Sequence, residues 1–451
     1  MAMTAELQAI DAAHHWHPFA DTKALAEEKS RVIVRAEGST LYDSDGNAIL
    51  DGMAGLWCVN VGYGRERLAE VARRQIVDLP YYNTFFKTTT EPAARLSERL
   101  VQLTPDGLNH VFFANSGSEA NDTIVRMVHH FWALEGKPQK QTIISREFAY
   151  HGSTIISSSV GGLSGMHDQS GLAPGFSHIR PPYFLRDGGN MTEQEFGIAA
   201  AQALEERILE LGADTIAAFF AEPIMGAGGV IVPPASYFPE IQRICKQYDI
   251  LFVVDEVICG FGRTGTWFAA EQFDLQPDMM TLAKGLSSGY LPISAVMIGD
   301  RVANSVMEKG GEFYHGFTYS GHPAACAVAL ENLKIIEEEG LVERAGSDIG
   351  PYLQKGLQSL TDHALVAEAR GIGMVGAIEM VRDKDGPVFF EPIGDVGTIC
   401  RDHCLNNNLV MRAVRDAMVV SPPLVMTHSE VDQMIEIARR CLDLTQRDLG
   451  L

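Results

Sequence analysis

Short apolar runs alternate with longer amphipathic stretches through the middle of the chain. Residues 111–114, 142–145, 215–221, 250–254, 281–283 and 293–298 have the length and apolar character of strands. Residues 121–134 have helical periodicity, closed by Gly136-Lys137-Pro138. Residues 237–248 place Ile241, Ile244 and Cys245 on one helical face. Runs such as 250–254 suit strands covered on both faces, and strands alternating with helices predict a mostly parallel, doubly wound sheet. The ends read differently. Residues 31–57 suggest short strands with turns at Glu37-Gly38 and Ser44-Asp45-Gly46, and residues 325–451 mix long helices with short strands. The prediction is an α/β chain. A large central domain spans 61–324, and a smaller α+β domain is built from both termini, 1–60 and 325–451.

Composition narrows the class. With 46% hydrophobic and 21% charged residues over 451 positions, the chain is globular and long enough to bury a core without disulfides. Its seven cysteines are scattered and include no CxxC, which predicts reduced thiols and a cytoplasmic setting. Residues 1–7 lack a basic region followed by an apolar stretch, so no secretory leader is expected. The apolar runs are too short to cross a bilayer. A net charge of −22 argues against nucleic acid or an anionic membrane as the main partner. It leaves room for a local basic pocket. The excess could draw in cationic substrates or serve solubility alone.

Three familiar patterns are decoys. Gly371-Ile-Gly373-Met-Val-Gly376 matches a dinucleotide fingerprint, but residues 377–381 read as another strand rather than a helix. Gly285-Leu-Ser287-Ser-Gly289 matches a nucleophile elbow, but Pro292 and the apolar run after it argue against the required helix. The histidines at 14, 15, 17, 129 and 130 lack zinc-site spacing, so no metal site is expected.

The informative residues lie at the ends of separate strands. Asn115-Ser116-Gly117-Ser118-Glu119 follows one strand with capping-box spacing at Ser116 and Glu119. Free amides there would form an anion site, or simply a helix cap. Asp255 ends an apolar strand, where open α/β sheets place ligands; a cap or structural ion pair is the plainer reading. Lys284 follows another strand, either snorkelling or chemically used. Together the three suggest an anion cradle, a buried carboxylate and a buried amine around one cofactor. Pyridoxal phosphate needs that set: a lysine that carries it, an acid for the pyridine nitrogen and a phosphate site.

At this point the chain resembles class III pyridoxal-phosphate aminotransferases of fold type I, in particular the amine–pyruvate (ω-) and putrescine/polyamine–pyruvate groups. The resemblance runs from His14-His15-Trp16-His17-Pro18-Phe19 to Ser421-Pro422-Pro423-Leu424. Its central segments are Asp51–Trp57, Ser116–Asp122, Tyr150-His151-Gly152, Asp255–Thr264, Ala283-Lys284-Gly285 and His315–Pro323.

The resemblance implies that Lys284 carries pyridoxal 5'-phosphate and moves the proton, and that Asp255 keeps the pyridine nitrogen protonated. Val257 and Tyr150 would flank the ring, and Ser116, Gly117 and Ser118 would hold the phosphate. Thr318 would reach the phosphate from a neighbouring subunit, and Glu222 would support the surroundings. Trp57, Phe85, Phe86 and Tyr150 resemble the aromatic wall around the substrate, and Arg412 the mobile arginine that grips pyruvate; a surface salt bridge is its plainer reading. A ping-pong exchange between a primary amine, diamine or ω-amino acid and pyruvate is implied, giving an aldehyde or ketone plus L-alanine. A homodimer, or a tetramer of dimers, with shared active sites is also implied. The alternatives are a main activity on β-alanine or other ω-amino acids, an aminomutase, and a non-catalytic binding protein.

Overall fold

The computed structural model describes residues 2–384 and 386–451; Met1 and Asp385, which fall in the expected terminal segments, lie outside the described residues. Its centre is a seven-stranded sheet. In spatial order the strands are His110–Ala114, Ser294–Ile298, Met279–Leu282, Leu251–Asp255, Ile216–Ala221, Thr142–Arg146 and Phe176–Ile179. Ser294–Ile298 runs antiparallel to both neighbours, and the other pairings are parallel. Six of the seven match the apolar runs to within two residues at either end. The seventh, Phe176–Ile179, is half-exposed at the edge and carries Ser177 and His178, so it lacks an apolar signature.

The central strands are buried on both faces because helices cover each side. Phe252 and Val254 join Phe196, Ile241 and Ile244 from the helices Glu193–Leu211 and Tyr237–Gln247. Leu251 and Val253 point the other way, onto Ile124, Val128 and Phe131 of the helix Gly117–Leu134. The period of two thus splits one apolar run between two cores.

The termini meet. Ile33–Glu37, Thr40–Asp43 and Ala48–Asp51 form an antiparallel meander, and Leu409–Val410 adds a parallel strand from the far end of the chain. A second small sheet holds Val366–Ile372, Val375–Met380, Ala417–Val420 and Arg412–Val414. The dinucleotide-like glycines sit on the hairpin between the first two of these strands, as their strand-like flanks imply. Among the described residues no helix is long and apolar enough to cross a membrane.

Candidate active site

Parallel strands end on one side of the sheet, and the loops leaving them converge there. A cavity of about 400 Å³ lies at that edge, lined among others by Ser116, Gly117, Ser118, Tyr150, Glu222, Asp255, Val257 and Lys284. Eight residues singled out from the sequence therefore meet in one place, although they span 168 positions of chain.

Asp255 is the buried end of the site. Its Oδ2 accepts from His151 Nδ1 at 2.8 Å and Asn121 Nδ2 at 2.9 Å, and its Oδ1 accepts from the Val257 amide at 3.0 Å. Burial alone would raise its pKa, but these donors, His151 foremost, hold the carboxyl below its ordinary value. Asn121 is itself oriented by Thr281, whose hydroxyl donates to its carbonyl at 2.6 Å. Sequence reasoning assigned neither His151 nor Asn121. One signal was available: Asn121 lies one helical turn beyond Gly117, on the same face.

The opposite end is a helix start. Ser116 caps the 18-residue helix Gly117–Leu134 by accepting from the Glu119 amide at 3.2 Å. The carboxylate of Glu119 reaches Asn115 N at 2.8 Å instead of Ser116, so the expected reciprocal box is shifted by one residue. Close approach here needs glycine. A Cβ at Gly117 would come within 3.3 Å of Val257, and one at Gly152, where φ is +140°, would lie 2.6 Å from Ser118 Oγ.

Lys284 stands between these ends, with φ +43°, in the left-handed region. Its turn is held from behind by Asn332, which donates to the carbonyls of Gly285 and Leu286 at 2.9 and 3.0 Å. Burial pushes the amine below its ordinary pKa, partly countered by Cys58, Asp255 and Glu222. Glu222 accepts from the amides of Tyr150 and Gly226 at 3.3 and 3.0 Å, and burial pushes its pKa up.

The substrate residues are less tightly gathered. Arg412 is partly buried, and its charge acts on both Lys284 and Tyr150. Arg415, three positions on, faces the other way. It lies over the Phe148 ring at 4.3 Å and donates to Gly228 O at 2.6 Å. Trp57 is only 2% exposed and packs on Met53, Ile258 and Cys259, while its neighbour Cys58 lines the cavity. Phe85 and Phe86 are exposed, the latter 90%, on a loop whose Phe85 ring abuts Gly316. Thr318 is exposed as well, and its carbonyl accepts from Tyr81 at 2.7 Å. None of these three lines the cavity of its own chain. Phe19 was not assigned from the sequence, yet its ring meets Tyr150 edge-on at 6.3 Å.

An aromatic phosphate that forms a covalent bond to lysine fits this donor set. The helix start and Ser118 suit the phosphate, Asp255 suits a ring N–H, and Val257 and Tyr150 line the same slot. Fold and site together define a pyridoxal-phosphate enzyme of fold type I. The family profile described as Aminotransferase class-III matches residues 24–442, and the chain belongs to that family. A putrescine–pyruvate aminotransferase of Pseudomonas aeruginosa is 54% identical over 98% of this chain and 97% of its own length. A gamma aminobutyrate transaminase 1 of Solanum lycopersicum is 44% identical over 92% of this chain and 82% of its own. The structure of an omega transaminase from Pseudomonas jessenii, in complex with PMP, superposes with a TM-score of 0.96 at 42% identity, covering 98% of this chain and 99% of that one.

Next to Asp255, Glu256 points away into the core. Its Oε1 accepts from Ala270 N at 2.6 Å, its Oε2 has no partner, and burial pushes its pKa up to about 8. The folded protein thus keeps a proton that the unfolded chain releases near its ordinary 4.5. The stability this contributes is complete below pH 4.5 and is lost as pH rises to about 8, by up to about 1.4 kcal/mol per pH unit. Glu256→Gln removes that loss. Its melting temperature, relative to wild type, should rise between pH 5 and pH 8. A constant difference would show that Glu256 does not titrate in this window.

Proposed function

We propose that this chain transfers an amino group from a primary amine to pyruvate by a ping-pong cycle, with putrescine or a related diamine as donor. The observation that carries the reading is the cavity that joins Lys284, Asp255 and the Gly117–Leu134 helix start. The putrescine–pyruvate relative supports the choice of substrates. Bound pyridoxal phosphate supplies an electron sink for the bond broken at the amine-bearing carbon. Lys284 holds the cofactor covalently, yields its place to the amine, and then removes and returns a proton as base and acid. Its depressed pKa favours the neutral amine that this role needs. Asp255, kept ionised by His151 and Asn121, holds a proton on the ring nitrogen. Ser116, Gly117 and Ser118 hold the phosphate, and Val257 and Tyr150 clamp the ring. Glu222 positions Tyr150 through its amide.

Arg412 grips the carboxylate of pyruvate and swings aside for an amine that has none. Trp57, Phe85 and Phe86 complete an apolar substrate wall. The last two do so in the active site of a second copy, where Thr318 reaches the phosphate. Their exposure supports a homodimer with shared sites. Residues 1–60 and 325–451 form one small domain beside 61–324, a division supported by the sheet that joins both termini.

Putrescine alone should bleach the visible band of the lysine-bound cofactor, and pyruvate should restore it. In Arg412→Ala the pyruvate step should slow about 10- to 100-fold, the value of one charge-assisted bond, with the putrescine step nearly unchanged. Equal losses in both steps would remove the carboxylate role. A band indifferent to putrescine would favour the second reading, an ω-amino acid donor, which the gamma aminobutyrate transaminase relative supports.

A further inference from the structure

Outside the cavity, the described residues bring one further set of metal-ligating side chains together. Asp11 lies in the last turn of the helix Ala2–His14, His15 follows four residues later, and the chain then turns back to place His17 beside both. His15 Nδ1 is 3.0 Å from Asp11 Oδ1, and His17 Nε2 is 2.9 Å from each carboxylate oxygen. The two imidazole rings lie 4.2 Å apart between centroids, and one ligand atom from each of the three residues falls within 4.8 Å of the others. Ser30 Oγ donates to Asp11 Oδ2 at 2.6 Å, which orients the carboxylate from outside the trio. A cavity of about 230 Å³ opens on the same four residues.

We propose that Asp11, His15 and His17 form a binding site for a divalent first-row transition ion, with zinc the best match. Two imidazole nitrogens and one carboxylate are the donors that borderline ions prefer, and donor atoms within 4.8 Å of one another need only small side-chain shifts to reach the roughly 3.3 Å edge of a tetrahedron whose ligands lie about 2.0–2.1 Å from zinc. Calcium and magnesium, which prefer oxygen, match poorly. On uptake the ion replaces the hydrogens between ring and carboxylate. Each neutral imidazole then carries its hydrogen on the far nitrogen, and no electron changes hands. Water takes the fourth position, since the protein supplies three ligands and the cavity is open. Histidine-to-histidine spacing missed this set because its third member is an aspartate one helical turn upstream.

The site has a consequence for the enzyme. Two residues beyond His17, Phe19 reaches Tyr150 in the catalytic cavity. An ion on His17 therefore fixes the arm that carries Phe19.

The test is a titration of chelator-treated, cofactor-loaded enzyme with zinc chloride against a competing chromophoric chelator. X-ray absorption at the zinc edge is recorded on the product. Wild type should bind one ion per chain with two imidazoles in its shell. His15→Gln and His17→Gln should each weaken uptake at least about 10-fold. His15 is 63% exposed, so its replacement leaves the fold intact, and the visible cofactor band verifies this for both variants. Equal affinity in all three proteins, or a shell that contains sulfur, would overturn the proposal and assign the zinc to other groups such as Cys58.

Discussion

Replacing Lys284 with alanine lowers amino transfer between putrescine and pyruvate by at least about 10⁴-fold, the upper range of what a positioned general base contributes. Three features of the structure argue for so large an effect. The side chain enters the cavity from a turn with φ +43°, a sparsely populated conformation of the kind that clusters at active sites. Asn332 secures that turn, so the amine does not wander. Burial weakens the amine as a proton holder, which leaves more of it free to act near neutral pH. The second readout is covalent. Borohydride treatment should fix the cofactor to the peptide containing residue 284 in wild type and to no peptide in the variant. Near-normal turnover in Lys284→Ala, or borohydride labelling elsewhere, would sink the assignment.

Asp255→Asn is expected to cost on the order of 10²-fold in rate, since one charge-assisted hydrogen bond is worth about 2–3 kcal/mol. The amide is nearly isosteric, but it cannot hold a proton on the ring nitrogen by charge. It also turns a triple acceptor into a group that must donate. The amide nitrogen of its side chain would face His151 and Asn121, or else Val257, all of them donors already. Cofactor affinity should therefore fall along with rate, and the visible band should shift. A change in affinity with an unaltered rate would assign Asp255 to binding alone.

Much of this site was legible before the fold was known. Asp255 and Lys284 stand where an apolar run ends, and burying a charge at such a point is costly unless chemistry or a partner uses it. Ser116 and the glycine after it marked a helix start, which is local information. His151 and Asn121 were harder to assign. Each is a polar residue in a polar stretch, and its role exists only because two distant segments bring it onto Asp255. The two nearby arginines show the same limit. By pattern alone nothing in Val410-Met-Arg412-Ala-Val-Arg415 ranks one above the other; only the family resemblance pointed to Arg412. Strand pleating and the turn at Arg415, where φ is +54°, separate the two side chains and send Arg415 onto Phe148.

The alternation of strands and helices, and the strand ends that carry Asp255 and Lys284, followed from the sequence by itself. Those signals are local: an apolar run of three to seven residues must be buried whatever lies beside it. Tertiary structure alone decided which neighbour each strand took, as when Leu409–Val410 paired with Ala48–Asp51 across some 360 positions. It also decided which donors surround Asp255, and it closed Asp11, His15 and His17 into one cluster. Hydrogen bonds and metal-ligand geometry depend on direction and on distances of about 3 Å and about 2 Å respectively. Separations along a sequence do not encode such distances once the chain has folded back on itself.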